Sequence, residues 1–396
     1  MHVTISGNSL AGGNGAGVYK VGTLEMTDAI VSKNTIATGT GGGVYDDGGA
    51  ITMTGVTISG NAAGFGGGVY NCGALDMSKV IVSDNTASAG DEARWGGVYN
   101  RYGALTMTDV DILGNSVTSS FDARGGGLYL YYGAAEMTDV KILDNSVSGG
   151  RRAYGGGAYA GSQSASMDNV TISGNSASGL EYARGGGAYN QGMLVMINVT
   201  ISDNLASGSY YASYGGGIHN DASLTMLSVT LSGNSATGAS YYSYGGGVSN
   251  EEACTLNMAN VTVTGNSAAG LAAGYGGGVY SMGVVMMTNT TVSGNSATQG
   301  GGIGHFFGAL KMTNSIAAGN TAASFRWGDL NHLLPQAVNA DDYTLIDTGY
   351  LTALRGGHAQ PAPMAAKASP FSTVAVAAKA VKKLWSKKVG QHGRRR

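Results

Sequence analysis

The chain has 396 residues, of which 69 are glycine and only 4 proline, with 43% hydrophobic and 12% charged residues. That hydrophobic content excludes wholesale disorder, the composition is too rich in glycine for a coiled coil, and no apolar run approaches the roughly 18 to 20 residues that span a bilayer. The net charge of −2 conceals a division: residues 360–396 hold nine Lys/Arg and no acid, which leaves residues 1–359 with 13 basic against 24 acidic groups, a net of −11.

From the N-terminus, the chain opens inside a VTISGN segment, which predicts a capping segment and an export signal upstream of Met1. That segment closes a unit that recurs along the chain: GGGVYN, then LxMT, then VxISGN, then an insert of variable length before the next GGG. The anchor of the unit is an asparagine, at Asn8, Asn34, Asn61, Asn85, Asn115, Asn145, Asn175, Asn204, Asn234, Asn266, Asn295 and Asn320, with spacings of 24 to 32 residues. In Leu105-Thr106-Met107 and Val199-Thr200-Ile201 apolar residues alternate, the period of a strand with one buried face. No helical segment intervenes. Such short strands cannot bury a face alone, but a coil stacked on its copy builds a continuous core. The pattern predicts an all-β parallel β-helix of twelve coils over residues 1–328.

Each recurrent residue has a physical reason. Met77, Met107 and Met137 and their equivalents fall at one position, where a flexible thioether fills a stacked interior better than it serves a cofactor. The anchor asparagines Asn61, Asn85, Asn115, Asn145, Asn175, Asn204, Asn234, Asn266 and Asn295 follow Gly or Asp in most units. That turn pair tolerates positive φ, and the pattern predicts a structural ladder of stacked amides. Glycine triplets such as Gly215-Gly216-Gly217 read as tight corners, since no GxxxxGK[ST] and no following helix make them phosphate loops. Tyr19, Tyr45, Tyr70, Tyr99, Tyr129, Tyr159, Tyr189 and Tyr280 form a column interrupted by His219 and Ser249.

Units at each end cross from Asn to GGG in four to six residues, whereas seven successive middle units use nine or ten. These inserts contain Trp95, Tyr154, Tyr182, Tyr211, Tyr214, Tyr242, Tyr244 and Tyr275 with Arg124 and Arg184, and they must emerge at one corner and stack. Loops rich in Tyr, Ser, Gly and Arg have the composition of recognition surfaces. The insert face is therefore the expected binding surface for a glycan or a cell-surface protein, against the plainer alternative that the loops only pack on one another.

Beyond the repeats, residues 329–359 keep strand-like pieces and are expected to cap the solenoid. In residues 360–396, Val374, Ala377, Ala378, Val381, Leu384 and Trp385 follow helical spacing beside several lysines. A basic amphipathic helix of this kind can contact anionic membrane or nucleic acid, although a solvated tail is the simpler expectation. Cys72 and Cys254 sit six units apart, about 30 Å at one strand spacing per coil, and are not expected to pair.

The combination of GG[GA][VIL] with [IVL]xxN resembles the repeats of bacterial right-handed β-helix surface proteins and is similar to the GGAI and FxxN repeats of the chlamydial polymorphic outer membrane proteins, with Ile, Val or Leu in place of Phe, as in Ile58 to Asn61. The resemblance implies a right-handed coil and an adhesin-like, extracellular or outer-membrane role. Parallel β-helices of pectin-lyase-like fold also carry polysaccharide lyases and glycoside hydrolases, whose chemistry needs convergent acidic residues. Glu25, Asp76 and Glu136 at outward slots beside the Leu and Met positions are two coils apart, too far to act as a pair. Asp91, Glu92 and Arg94, and Asp122 with Arg124, are candidate lyase groups better explained as salt-bridged loops; Asp341-Asp342 and Gly357-His358 fall past the regular repeats. The six histidines show no metal-ligand spacing, and neither metal nor cofactor is expected.

Overall fold

Each unit supplies short strands with one face to bury, and the computed structural model shows that successive units coil so that every strand pairs in parallel with its counterpart one unit on. The described residues are 3–323 except 162, 163 and 240, together with the backbone of 330–332, 338–340 and 345–346. Among them there is no helix, and the strands form parallel sheets of 32, 12 and 7 members. The fold is a parallel β-helix, as the repeat predicts.

The largest sheet unites the V-Y-N, L-x-M-T and V-x-I-S strands, such as Leu128–Leu130 and Ala134–Leu143. The 12-stranded sheet takes one strand from each unit just past the anchor asparagine, for example Ser116–Ser119 and Ser146–Gly149. Register is kept residue for residue: Met77 lies against Met107 and Met107 against Met137, all fully buried. Leu330–His332, Val338–Ala340 and Leu345–Ile346 continue the parallel pairing past residue 328. Asp341-Asp342, Gly357-His358 and residues 360–396 of the basic tail lie outside the described residues.

The anchor asparagines are joined along the stack. Asn145 donates from its backbone N and its Nδ2 to Oδ1 of Asn175, at 2.9 and 3.0 Å, and from Nδ2 to the Ile112 carbonyl at 2.9 Å. The same bonds run from Asn34 to Asn295, so a buried turn is satisfied by its neighbours in both directions. The residue before each anchor is left-handed, as at Asp84, Gly114 and Asp144, which favours the Gly or Asp found before every anchor but Asn34, where Lys33 takes φ of +56°.

At the glycine corners two constraints meet. Gly125 has φ of +64°, and a Cβ on Gly126 would stand 2.2 Å from the Gly156 carbonyl oxygen, so no side chain fits between the stacked turns. In one coil Trp95 takes the first glycine's place, with φ of +54°. A second amide column runs through part of the V-Y-N strands: Asn71 bonds Asn100, and Asn190, Asn220 and Asn250 follow one another. At the N-terminal end its place is taken by a buried ion pair, Lys20 Nζ to Asp46 Oδ1 at 2.7 Å.

Candidate functional site

The seven long inserts make the third sheet, from Glu92–Arg94 through Arg152–Tyr154 and Tyr182–Arg184 to Ala273–Tyr275. The middle residues of its strands turn inward, where Ala93, Ala123, Ala153 and Ala183 pack with Ala87, Val117, Val147, Ala177 and Ala206. Small side chains let the insert lie flat on the strand that precedes it. The flanking residues then point outward in two columns. One column runs Glu92, Asp122, Arg152, Tyr182, Ala212, Tyr242, Ala273; the other runs Arg94, Arg124, Tyr154, Arg184, Tyr214, Tyr244, Tyr275.

The ten candidate binding residues divide by depth. Tyr211 and Tyr242 are exposed, and Tyr182 stacks on Tyr211 at 5.4 Å. Tyr214, Tyr244 and Tyr275 form a continuous half-buried file, with ring centroids 4.9 and 5.5 Å apart. Arg184 lies over Tyr182 at 5.5 Å and Tyr214 at 5.3 Å, and Arg124 over Tyr154 at 5.4 Å. Trp95 and Tyr154 are buried instead. Trp95 occupies a corner rather than an insert tip and stacks on Tyr99 at 3.8 Å, while Tyr154 packs against Tyr189 at 5.4 Å. These two hold the insert sheet to the tyrosine column and leave the outer surface to their neighbours.

The tyrosine column is on the outside of the coil by alternation, yet Tyr99, Tyr129 and Tyr189 are almost fully buried because the inserts cover one side of it. Stacked rings run along it, for example Tyr129 on Tyr159 at 4.4 Å. Its hydroxyls reach one coil further: Tyr159 Oη donates to Gln191 Oε1, and Tyr189 Oη to Asp221 Oδ2 at 2.9 Å. Where His219 interrupts the column, its ring stacks on Tyr189 at 5.2 Å and meets Tyr214 edge-on. Its Nε2 lies 3.8 Å from Glu251 Oε1, and neither ring nitrogen has a hydrogen-bond partner. Burial and then the nearby Arg184 charge hold the His219 pKa well below its ordinary value, so the ring is neutral at pH 7. Burial pushes the Glu251 carboxyl up; Arg184 opposes the shift and Asp221 adds to it.

Asp221 and Glu251 stand outside the slots beside the Leu and Met positions. They occupy the position after the second asparagine, on neighbouring coils, with backbone N–H groups donating to Asn190 and Asn220. Aligning the units on GGGVYN rather than on VxISGN exposes this column in the sequence. The earlier acid candidates are local ion pairs: Arg94 with Glu92 and Arg124 with Asp122 pair within a single insert strand. Among the described residues no three His, Cys, Asp or Glu side chains form a metal-holding group. Cys72 and Cys254 are free thiols, and burial raises the Cys254 pKa to about 11.

A family model described as a right-handed beta helix region matches residues 1–147. The chain is similar to that family over its first coils, in agreement with the parallel stacking throughout. No curated protein and no solved structure matches the chain.

Proposed function

We propose that the protein is a non-catalytic, adhesin-like binding and scaffold module of a bacterial surface or extracellular space, which recognises glycan chains through its insert sheet. The observation that carries this reading is the exposure of Tyr210, Tyr211, Tyr241 and Tyr242, each between 40 and 60% exposed, at the tips of two adjacent inserts. Phe121, Leu180 and Leu271 are exposed at the tips of other inserts. Aromatic rings repeated at the coil spacing suit a polymer of flat-faced rings, and rigid Tyr side chains lose little entropy on contact. The likeness of the GG[GA][VIL] and [IVL]xxN repeats to those of bacterial surface proteins supports the location.

Joint replacement of Tyr210, Tyr211, Tyr241 and Tyr242 by Ser is the test. Attachment to glycan arrays should fall about ten-fold or more, a loss of at least ~1.4 kcal/mol, while the circular dichroism spectrum stays unchanged. Undiminished attachment, or attachment to cells that survives removal of their glycans, would overturn it.

A second reading, a polysaccharide lyase or glycoside hydrolase, is favoured by Asp221 and Glu251, which follow equivalent asparagines on neighbouring coils, with His219 and the Arg184 charge near Glu251. A raised carboxyl pKa suits a general acid. Cleavage of a polysaccharide by the full chain, abolished by Glu251→Gln, would replace the binding reading with this one.

A further inference from the structure

Four asparagines are followed two residues on by a threonine, with no proline between: Asn169-Val170-Thr171, Asn198-Val199-Thr200, Asn260-Val261-Thr262 and Asn289-Thr290-Thr291. No other asparagine in the chain has Ser or Thr at that spacing, and every ladder asparagine has Leu, Ile, Val or Ala there. The fold gathers the four at one corner, the turn between the L-x-M-T and V-x-I-S strands, whereas the inserts leave from the corner past the anchor. Thr171 pairs in register with Thr200, Thr200 with Thr230, Thr230 with Thr262 and Thr262 with Thr291. The asparagines therefore stand in one file as two adjacent pairs, with Ser228 in the place between them.

The turn accounts for the asparagines, because all four are left-handed, with φ between +50° and +55°, a region that Asn enters more readily than most residues. It does not account for the threonines. Asp28, Lys79, Asp109 and Asp139 hold the same turn, and the residue two on is then Ile30, Ile81, Asp111 or Lys141. From Asp28 onward, Thr follows four of the five turn asparagines, Asn314 with Ile316 being the exception, and otherwise only Gly55 and Ser228. The middle residue of each triplet is buried, Val170, Val199, Val261 and Thr290 all at 1% exposure, so the asparagine and the threonine on either side of it lie on the outer surface. We infer that Asn169, Asn198, Asn260 and Asn289 are sites of N-linked glycosylation by a separate transferase, which reads the amide and the threonine hydroxyl together. The inference is independent of binding at the insert tips.

The co-substrate is an activated sugar whose anomeric carbon is bonded to the diphosphate of a nucleotide or of a lipid carrier. Asparagine Nδ2 forms the new bond to that carbon as the carbon–oxygen bond breaks. The diphosphate leaves with the electron pair, and Nδ2 gives up one proton to a base of the transferase. The amide has two N–H groups, so the one that remains can keep the surface hydrogen bonds of the turn. These run from Asn198 Nδ2 to Asp168 Oδ1 at 3.3 Å and from Asn289 Nδ2 to Asn260 Oδ1 at 3.1 Å.

The test is peptide mass spectrometry of the full chain purified from the cells that make it, with electron-transfer fragmentation to keep sugars in place. Peptides holding Asn169, Asn198, Asn260 and Asn289 should carry a sugar mass on the asparagine, and Asn314 should carry none. A single sugar at each site marks a nucleotide-linked donor, and a uniform oligosaccharide marks a lipid-linked one. Thr200→Ala, made in the same cells, should lose the sugar at Asn198 alone, and Thr200→Ser should keep it. Thr200 is exposed, so neither change disturbs the coil. Ser228→Asn, which sets an amide ahead of the exposed Thr230 in the same file, should gain a sugar at that position. Four bare asparagines, a sugar at Asn198 that survives Thr200→Ala, or sugars carried on the threonine hydroxyls in place of the amides would overturn the inference.

Discussion

The coils at the two ends and the seven in the middle turn the same corner by different means. At the ends, the spans 62–65 and 296–299 cross from the anchor asparagine to the glycines in four residues. In the middle, nine or ten residues add a third sheet. The ladder does not register the change: Asn Nδ2 to Oδ1 is 2.9 Å at Asn34–Asn61, 3.0 Å at Asn145–Asn175 and 2.9 Å at Asn295–Asn320. Coil formation is thus carried by the ladder, the Met column and the glycine corners, and the inserts are an addition with a core of little more than alanine.

The largest effect is expected at the ladder. Asn175 accepts from the backbone N and Nδ2 of Asn145 and donates to Ile142 and Asn204. Asn175→Ala should cost about 3 kcal/mol, because several buried groups lose partners together, and the denaturant midpoint should fall accordingly. Next comes the insert core. Ala183→Leu overfills a fully buried site and should cost about 2 kcal/mol, with protease cleavage appearing first within the inserts.

A smaller effect belongs to His219. Its folded pKa lies below the ordinary value of 6.5, so the folded state binds fewer protons than the unfolded one. The stability from a neutral His219 is full above pH 6.5 and is lost as the pH falls below it. Glu251, whose pKa is raised, has the opposite sign: it favours the fold when protonated and opposes it as the pH rises above 4.5. His219→Tyr restores the column and should add about 1 kcal/mol at pH 7, while flattening the decline in melting temperature between pH 6.5 and 5. The smallest effect on stability is expected at the insert tips. The Tyr210, Tyr211, Tyr241 and Tyr242 replacement should shift the melting free energy by no more than about 0.5 kcal/mol per site, since these rings are exposed.

The fold was legible because a β-helix repeats its reasons: the same Asn, Met and Gly recur in every unit, and alternation marks the buried face. The insert surface was legible as composition and as a corner, but depth was not. Trp95 reads as the last insert residue, and only the backbone shows it standing in for a glycine with positive φ. Tyr154 shares its place just before the glycines with Tyr214, Tyr244 and Tyr275, yet it is buried against Tyr189 where they are half-buried. The interruption of the tyrosine column at His219 was visible, whereas its meeting with Glu251 depends on a column outside the L-x-M strands.

Folding of the coils without the inserts and the proposed binding through the inserts can be tested together. Replacing all seven long inserts with four-residue spans patterned on 296–299 tests both halves in one molecule, by melting followed with circular dichroism and by attachment to the glycan array. A cooperative β-sheet melt with attachment lost to the background is the expected result. A chain that fails to fold, or one that folds and attaches as well as the parent, would contradict it.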